Sequence, residues 1–419
     1  MDKFIITGGK KLSGTIEVSG AKNAILPIMA AALLAKGKSR LINVPYLNDI
    51  KMMAHVLRVI GARVDFTDNI MEIDATHANY CEAPYELVSK MRASIYVMGP
   101  LIARFGQARV SFPGGCAIGT RPVDLHLKAM EALNANIQTD HGYIIANCKK
   151  LKGAEIRFEK VSVGATCNAL MTAVTAKGET NIYNAAMEPD IGSLVDFLNL
   201  MGADIKGKGT SHLIINGVNK LNPAEMEMMP DRIEAGTFVI AGAITGSEIT
   251  VTNCIPEHIR SLLNKMEEAG CKFEISEKSL KVLPVNKIKA VDMITNPYPD
   301  FPTDLQAQYL ALMTLAEGSC TIEDTIFPDR FMHVAELNRL DADISMNKNV
   351  ATVKGVKSLS GAEVMATDLR ASATLVLAGL AAKGTTTISR IYHIDRGYER
   401  IEEKLNKIAM TCRCEHTHV

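Results

Sequence analysis

Residues 372–388 read SATLVLAGLAAKGTTTI, and this stretch decides the fold. The small apolar residues of 372–380 are typical of a closely packed helix, and the β-branched residues after Gly384 favour a strand. The same order of segments recurs along the chain at intervals of roughly 70 residues. The glycines that end the small-residue helices are Gly37, Gly106, Gly178, Gly246, Gly318 and Gly384. Six copies of one unit therefore fill the sequence.

Each copy continues in the same way after its first strand. An amphipathic helix follows, such as residues 261–269, and then a pair of strands with alternating polarity, such as residues 272–275. The order strand, helix, strand predicts parallel pairing with a right-handed crossover. A period of roughly 70 residues exceeds the 20–50 residues that are usual for a solenoid. We therefore predict two compact domains of three repeats each.

Composition excludes several classes of protein. The 419 residues include 46 basic and 46 acidic side chains, so no net charge attracts nucleic acid or an anionic membrane. Apolar residues make up 47% and charged residues 22%, which excludes a disordered chain. No apolar run has the length of a membrane span, and no leader opens the chain. These features predict a cytoplasmic protein without nucleic-acid or membrane partners.

The cysteines indicate reduced thiols. Nine are present, the number is odd, and no CxxC pair occurs, as in a cytosolic protein without disulfides. Cys412, Cys414, His416 and His418 lie close together in the tail. A terminal CxC plus HxH lacks the scaffold that a metal ion needs, and we predict no metal site there.

Charged residues recur at the predicted starts of the small-residue helices, 14 positions before each terminal glycine. These positions are Asn23, Arg92, Gly164, Arg232, Asp304 and Arg370, and Lys22 precedes Asn23. A cation near a helix N-terminus costs about 0.3–1 kcal/mol, so four such placements in six repeats need a compensating anion. An anionic ligand would supply it. The alternative is pairing with a nearby acid, such as Asp231 or Asp368.

Asp304 is the one carboxylate in this series. It is a candidate general base that removes a proton from a substrate hydroxyl. Its alternative role is that of an ordinary helix N-cap.

The second repeat carries extra residues, 113–121, which contain three glycines. A loop inserted into one of six repeats indicates function, and we expect it to fold over a bound substrate. It contains Cys116, and Arg121 would favour the thiolate of that cysteine. The alternative is a mobile surface loop with an incidental cysteine.

Motifs along the whole chain, from Gly8 to about Ile408, resemble the bacterial enolpyruvyl transferases. They lie at residues 19–24, 91–94, 113–116, 121–126, 160–166, 230–234, 301–306, 366–372 and 393–400. The resemblance implies an α/β (α+β) fold of two similar domains. Each domain would have three βαβαββ-type repeats around pseudo-threefold symmetry, the inside-out α/β barrel of that family. It also implies an N-terminal domain of residues 21–229 with the Cys116 loop, a C-terminal domain of residues 1–20 and 230–419, and substrates in the cleft between them.

The implied reaction transfers the enolpyruvyl group of phosphoenolpyruvate to the 3′-hydroxyl of UDP-N-acetylglucosamine and releases phosphate, as the first committed step of peptidoglycan synthesis. By resemblance, Cys116 donates a proton to C3 of phosphoenolpyruvate, Asp304 is the base, and Lys22 and Arg396 are also catalytic. The implied phosphoenolpyruvate ligands are Lys22, Asn23, Arg121, Arg370 and Arg396. The implied sugar-nucleotide ligands are Asn23, Arg92, Arg121, Pro122, Val123, Asp124, Leu125, Lys160, Val161, Ser162, Val163, Gly164, Asp304 and Ile326. No metal or organic cofactor is implied, and fosfomycin is expected to alkylate Cys116.

Two other functions stay open. One is that of the sibling enzyme that acts on shikimate 3-phosphate. That enzyme lacks the Gly-Gly-Cys loop and the Arg-Pro-Val-Asp that follows it, both of which are present here, so the sequence argues against this function. The other is that of an inactive paralogue that binds a sugar nucleotide and regulates a partner. The presence of implied catalytic and phosphoenolpyruvate-binding residues argues against it, namely Lys22, Cys116, Asp304, Arg370 and Arg396. The sequence departs from the repeat pattern at Asn134 and Asp341, which replace glycine and bear on stability more than on activity. The tail from Thr411 has no functional interpretation.

Overall fold

The computed structural model describes residues 2–88, 91–112, 123–409 and 412–415. The chain divides into two compact units, with boundaries after Ser19 and after Met229. We name residues 20–229 the central unit. The residues before and after it form the terminal unit. Each unit has its own continuous hydrophobic core.

The chain opens with two strands of the terminal unit, β1 (Lys3–Thr7) and β2 (Ser13–Glu17). The first repeat of the central unit contains α1 (Lys22–Ala31), β3 (Lys38–Ile42), α2 (Asn48–Val59), β4 (Arg63–Thr67) and β5 (Ile70–Asp74). The second contains β6 (Glu82–Ala83), α3 (Tyr85–Val88), α4 (Met98–Phe105), β7 (Gln107–Ser111), α5 (Asp124–Ala132), β8 (Asn136–Asp140) and β9 (Tyr143–Asn147). The third contains β10 (Glu155–Arg157), α6 (Val163–Ala173), β11 (Glu179–Tyr183), α7 (Pro189–Leu200), β12 (Asp204–Lys206), β13 (His212–Asn216) and β14 (Glu225–Glu227).

The terminal unit repeats this order. Its first repeat contains α8 (Arg232–Ile244), β15 (Glu248–Thr252), α9 (Arg260–Glu268), β16 (Lys272–Ile275) and β17 (Ser279–Leu283). Its second contains β18 (Met293–Thr295), α10 (Gln306–Met313), β19 (Ser319–Asp324), α11 (His333–Arg339), β20 (Asp343–Asn347) and β21 (Val350–Lys354). Its third contains β22 (Glu363–Met365), α12 (Leu369–Ala381), β23 (Thr385–Ser389), α13 (Ile401–Ile408) and β24 (Cys412–Glu415). Short 3₁₀ segments lie at Ala32–Leu34, Arg92–Val97, Pro256–Ile259, Thr303–Leu305 and Ile391–Arg396.

The described residues form six four-stranded sheets, each built around the strand that follows one small-residue helix. The strand orders are β14-β3-β5-β4, β6-β7-β9-β8, β10-β11-β13-β12, β2-β15-β17-β16, β18-β19-β21-β20 and β22-β23-β1-β24. In each sheet, the strand after the small-residue helix has one parallel and one antiparallel neighbour, as β7 has β6 and β9. The six sheets are thus copies of one arrangement.

The prediction of parallel pairing across the amphipathic helix is wrong. After α5 the chain forms a hairpin, and its second strand β9 pairs antiparallel with β7. The first hairpin strand, β8, runs in the same direction as β7 but lies at the edge, because β9 returns into the position between them. Parallel neighbours occur instead across the small-residue helix, as between β10 and β11 on either side of α6.

The N-terminal strands belong to sheets formed mainly by residues after Pro230. Strand β1 lies between β23 and β24, antiparallel to both, and β2 pairs parallel with β15. The tail, which has no functional interpretation, supplies β24 as an edge strand of the β1 sheet. His416 and His418 lie outside the described residues.

Helices of small residues form the centre of each unit. Every residue of α8 and of α10 is buried, and these two helices and α12 pack against one another. Alanine in all three helices and glycine in α8 and α12 allow this close packing. Among the described residues, no helix has the length and apolar character needed to cross a membrane.

The six glycines that end these helices share one backbone conformation. All have a positive φ, between 56° at Gly246 and 117° at Gly37, which residues other than glycine rarely adopt. Asn134 and Asp341, which replace glycine after the amphipathic helices, also have positive φ, at 76° and 66°. Asparagine and aspartate tolerate this conformation better than most residues, which explains why the turn survives both replacements.

Candidate active site

The six sequence positions predicted at helix starts all lie at the first or second residue of a helical segment. The segments begin at Lys22, Arg92, Val163, Arg232, Thr303 and Leu369. The repeat therefore gives each charged residue the same local position. Cys116, Arg121 and Pro122 lie outside the described residues.

Asp304 sits between two guanidinium groups of the terminal unit. Arg370 Nη2 donates to its Oδ2 at 2.6 Å, and Arg330 Nη1 lies 2.8 Å from its Oδ1. Both arginines are buried, whereas the Asp304 side chain is 24% exposed. Asp304 is not the N-cap of its segment, which is Pro302, so the alternative role of N-cap is wrong.

Burial and the neighbouring positive charges shift the pKa of Asp304 in opposite directions. Burial alone would raise the pKa of this carboxyl group, but the positive charges of Arg370, Arg330 and Arg232 outweigh it. The pKa of Asp304 consequently lies well below its usual range, and the group is anionic at neutral pH. The same pairing raises the pKa of Arg370 above its already high value, although burial opposes it.

Two other aspartates of the terminal unit cap helices. Asp231 accepts hydrogen bonds from the N–H groups of Ile233 and Glu234, and Asp368 accepts from those of Arg370 and Ala371. The anionic caps compensate the positive end of the helix dipole. The guanidinium of Arg370 pairs with Asp304 rather than with the neighbouring Asp368.

Arg396 ends the 3₁₀ segment Ile391–Arg396 and is partly exposed. Tyr398, two residues later, is buried, and its hydroxyl lies 2.8 Å from Thr237 Oγ1 on α8. Gln308 Nε2 lies 3.3 Å from the same tyrosine hydroxyl and donates to the backbone oxygen of Asp304 at 3.0 Å. The Arg396 segment is thereby tied to the segment that carries Asp304.

In the central unit, Lys22 does pair with a nearby acid. Its Nζ lies 3.1 Å from Oδ2 of Asp49, which is on α2 of the same repeat, and both side chains are buried. The alternative interpretation by acid pairing therefore holds for this cation. Asn23 follows Lys22 in α1 and is partly exposed.

The start of α6 lies against a buried histidine. Ser162 caps the helix by accepting from Ala165 N, which leaves the N–H groups of Val163 and Gly164 at the first turn. A methyl group at residue 164 would lie 2.9 Å from Cε1 and 3.0 Å from Nε2 of His126, so only glycine fits there. Lys160 before the cap is exposed, and Val161 is partly exposed.

His126 is held in one neutral form. Asn168 donates from Nδ2 to Ile95 O and accepts Gly99 N at Oδ1, which fixes the orientation of its amide. That amide nitrogen lies 2.8 Å from His126 Nδ1, so Nδ1 accepts and Nε2 carries the proton. Burial and the charge of Arg92 lower the pKa of His126 to about 3.

The remaining predicted ligands lie close to these elements. Val123 is buried before α5, while Asp124 and Leu125 open that helix and are exposed and partly exposed. Ile326 lies in the turn after β19, where its N–H donates to Asp324 Oδ1 at 3.0 Å.

The sequence matches a known family over almost its whole length. A model of the family described as EPSP synthase (3-phosphoshikimate 1-carboxyvinyltransferase) matches residues 6–405. The chain belongs to the EPSP synthase family of enolpyruvyl transferases. The resemblance found in the motifs is therefore confirmed.

Several members of the family are much closer to this chain than EPSP synthase is. The UDP-N-acetylglucosamine 1-carboxyvinyltransferase of Desulfosudis oleivorans is 52% identical over 413 residues, 99% of each chain. The enzyme of the same name from Geotalea uraniireducens is 55% identical over 405 residues, 97% of each chain.

Solved structures of the family confirm the predicted fold class. The enolpyruvyl transferase NikO from Streptomyces tendae has a TM-score of 0.89 at 25% identity, covering 99% of this chain and 98% of its own. EPSP synthase from Acinetobacter baumannii has a TM-score of 0.77 at 18% identity, covering 99% and 100%. The second likeness concerns the fold alone.

Sequence reasoning missed three residues that the family fold brings to Asp304. Arg330 is its second ion-pair partner, Thr303 accepts a hydrogen bond from that arginine, and Asp324 accepts one from Thr303. Arg330 and Asp324 lie outside the helix-start series, so the repeat gave no signal for them. Thr303 adjoins Asp304 in a matched motif but was not distinguished from its neighbours.

Proposed function

We propose that the chain is a UDP-N-acetylglucosamine 1-carboxyvinyltransferase, which transfers the enolpyruvyl group of phosphoenolpyruvate to UDP-N-acetylglucosamine in the first committed step of peptidoglycan synthesis. The observation that carries the proposal is identity of 52–55% over 97–99% of the chain with proteins of that name. The solved EPSP synthases, at 18–19% identity, support only a common fold. Both substrates are water-soluble metabolites, and we assign the reaction to the cytoplasm.

Phosphoenolpyruvate carries a phosphate and a carboxylate, and the residues assigned to it are mainly cations. Lys22, Arg121, Arg370 and Arg396 would bind these groups, with Asn23 as a hydrogen-bonding partner. Arginine suits both groups because its guanidinium can donate two parallel hydrogen bonds. Positive charge at fixed positions also stabilises the charge that develops in the transition state.

UDP-N-acetylglucosamine is assigned to the starts of the central-unit helices and to two residues of the terminal unit. The N–H groups of Val163 and Gly164 have no acceptor among the described residues and suit an oxygen of the diphosphate, with Arg92 and Lys160 as nearby cations. Residues 121–125 and 161–162 complete the assigned contacts in the central unit. Ile326 and Asp304 complete them in the terminal unit.

Asp304 is the proposed base. Its low pKa keeps it anionic, so it can accept a hydrogen bond from the 3′-hydroxyl of the sugar. An anionic substrate that draws Arg370 away from the carboxylate would raise the pKa of Asp304. The carboxylate would then take the hydroxyl proton as the hydroxyl oxygen attacks C2 of phosphoenolpyruvate.

Cys116 is the proposed acid. Its thiol gives a proton to C3 as the C–O bond forms at C2, which produces a tetrahedral adduct. Loss of a proton from C3 and of phosphate from C2 then regenerates the double bond. A phosphonate epoxide such as fosfomycin resembles phosphoenolpyruvate in size and charge, and we propose that it alkylates the same sulfur.

The experiment is a phosphate-release assay with phosphoenolpyruvate and each of two acceptors. We expect release with UDP-N-acetylglucosamine and none above background with shikimate 3-phosphate. The opposite preference would replace the proposal with the EPSP synthase reaction. Tight binding of UDP-N-acetylglucosamine without phosphate release from either acceptor would instead identify a regulatory paralogue.

A further inference from the structure

Strand β19 ends in a carboxylate that is completely buried. Asp324 has no exposed surface, and four donors surround its two oxygens. A buried charge is stable only when it is fully hydrogen-bonded or paired. The proposed reaction assigns no role to this residue, so its neighbours indicate what the charge is for.

One oxygen of Asp324 fixes the turn that follows the strand. Oδ1 accepts from the N–H groups of Ile326, at 3.0 Å, and Phe327, at 2.7 Å. It also accepts from Thr295 Oγ1 at 3.0 Å, which joins the turn to the parallel strand β18. The backbone position of Ile326, a proposed sugar-nucleotide ligand, is therefore set by Asp324.

The other oxygen begins a chain of polar contacts that ends at Asp304. Thr303 Oγ1 donates to Asp324 Oδ2 at 2.6 Å and accepts from Arg330 Nη1 at 3.0 Å. A carboxylate can only accept, so it holds the threonine proton on its own side and leaves the lone pairs of that hydroxyl for the guanidinium. The same Nη1 of Arg330 lies 2.8 Å from Asp304 Oδ1.

We propose that Asp324 is a positioning residue for the enolpyruvyl transfer, which acts through Thr303 and Arg330 to fix the Asp304 carboxylate and directly to fix the turn of Ile326. One buried charge thereby sets the positions of the proposed base and of a ligand of the sugar nucleotide that delivers the reacting hydroxyl. The inference rests on the proposed function for the chemical role of Asp304 and for the assignment of Ile326 as a ligand.

Thr303 offers the sharpest test, because valine has almost the same shape and lacks the hydroxyl. In Thr303→Val, the guanidinium of Arg330 loses an acceptor, and we expect kcat at saturating substrates to fall at least tenfold. KM for phosphoenolpyruvate should stay within threefold. Thr303→Ser keeps the hydroxyl and should recover at least half of the wild-type kcat. Equal activity of the valine and serine variants, both folded by their melting curves, would overturn the proposal.

A double-mutant cycle separates action through Arg330 from a general structural effect. Arg330→Lys keeps a charge but has a different donor geometry. If Thr303 acts through Arg330, Thr303→Val should change kcat less than twofold in the Arg330→Lys protein. A full tenfold loss of kcat in the Arg330→Lys protein would contradict action through Arg330. Asp324→Asn keeps one oxygen that can accept the N–H groups of the turn and loses the acceptor of the Thr303 proton. It should therefore lower kcat in the wild-type background and have little further effect on kcat in Thr303→Val.

A substrate-free measurement keeps this inference distinct from the proposed function. The side-chain N–H signals of Arg330 in ¹⁵N spectra should be resolved and slow to exchange in the wild type and in Thr303→Ser. In Thr303→Val they should broaden or exchange at least tenfold faster. Inactivity of the wild-type chain with both acceptors would contradict the proposed function. Unchanged Arg330 signals in Thr303→Val would instead contradict the inference that Asp324 acts through Thr303 and Arg330.

Discussion

The two units place charge differently around equivalent helix starts. In the terminal unit, three carboxylates occur there: Asp231 and Asp368 cap α8 and α12, and Asp304 pairs with Arg370. At the described helix starts of the central unit, α1 has Ala21 and α6 has Ser162 as the cap, and the acid that pairs with Lys22 comes from α2.

The difference indicates that the two units have different roles in the reaction, although both are built from the same repeat. Helix starts without anionic caps keep the positive potential of the dipole and suit the phosphate groups of the substrates. Helix starts with fixed carboxylates are already compensated, and they suit proton transfer from a neutral hydroxyl. The comparison can be tested by variants that affect one unit and have a matched control.

The largest effect is expected from an anionic electrophile directed at the central unit. Fosfomycin should modify Cys116 alone and abolish activity, faster when UDP-N-acetylglucosamine is bound. Three of the described cysteines are poor competitors, because burial raises the pKa of Cys254 and Cys320 to about 11 and that of Cys271 to about 12. Mass spectrometry of the treated protein identifies the site.

The control is Cys116→Asp, which keeps a proton donor and removes the nucleophilic sulfur. This variant should retain part of the activity and resist the epoxide. Modification at another cysteine, or inactivation of Cys116→Asp at the wild-type rate, would show that the thiol has been assigned to the wrong residue.

The second largest effect is expected in the terminal unit, where Arg330 and Arg370 compensate the charge of Asp304. Asp304→Ala should lower kcat by about 10² or more while the affinity for UDP-N-acetylglucosamine stays within roughly tenfold. The change also leaves two buried guanidinium groups without this partner, which costs about 3–5 kcal/mol of folding stability. Steady-state kinetics and calorimetry on the same samples separate the two consequences.

Asp300→Ala is the matched control, because Asp300 is an exposed acid in the same segment. It should leave kcat and the melting temperature unchanged.

The folded pKa of Asp304 is lowered, so the stabilising contribution of Asp304 is complete above about pH 4 and is lost as the pH falls further. The stability gap between wild type and Asp304→Ala should therefore narrow below about pH 4, and a near-normal kcat in the variant would remove Asp304 as the base.

The third effect tests the start of α6 in the central unit, where Ser162 rather than a carboxylate is the cap. Gly164→Ala would push a methyl group against His126 and displace the first turn of α6, so KM for UDP-N-acetylglucosamine should rise about tenfold or more, with a smaller change for phosphoenolpyruvate. Gly192→Ala in α7 is the control, since its new methyl group would meet only the end of the flexible Lys208 side chain. Equal KM values in both variants would argue against a diphosphate contact at α6.

The smallest effect compares turns at equivalent positions of the two units. Replacing Asp341 by alanine at its positive φ should cost about 1 kcal/mol of folding stability, and replacing it by glycine should change stability by less than about 0.5 kcal/mol. Asn134→Ala should cost more, because Asn134 Nδ2 also donates to Lys150 O at 3.0 Å. Denaturant titration resolves differences of this size, and equal losses at the two sites would mean that the side-chain hydrogen bond contributes nothing.

The repeat and the helix starts could be read from the sequence because both depend on local chemistry. Gly178 and its equivalents are required by backbone conformation, and Arg370 is one residue in a regular series. The strand order could not be read, since alternation in β8 and β9 does not tell which of them adjoins β7. Arg330 and Asp324 were missed because their importance arises only when β18, β19 and the Asp304 segment meet in space.

The position of β1 and β2 has a consequence for how the protein is made. The ribosome synthesises these strands before their partners β15, β23 and β24. The central unit has all its strands once Glu227 has emerged, so a nascent chain stalled shortly afterwards should yield a protease-resistant fragment that begins near Gly20. Translation thus separates the folding of the two units in time, and β1 and β2 have unpaired edges until β15, β23 and β24 have been synthesised.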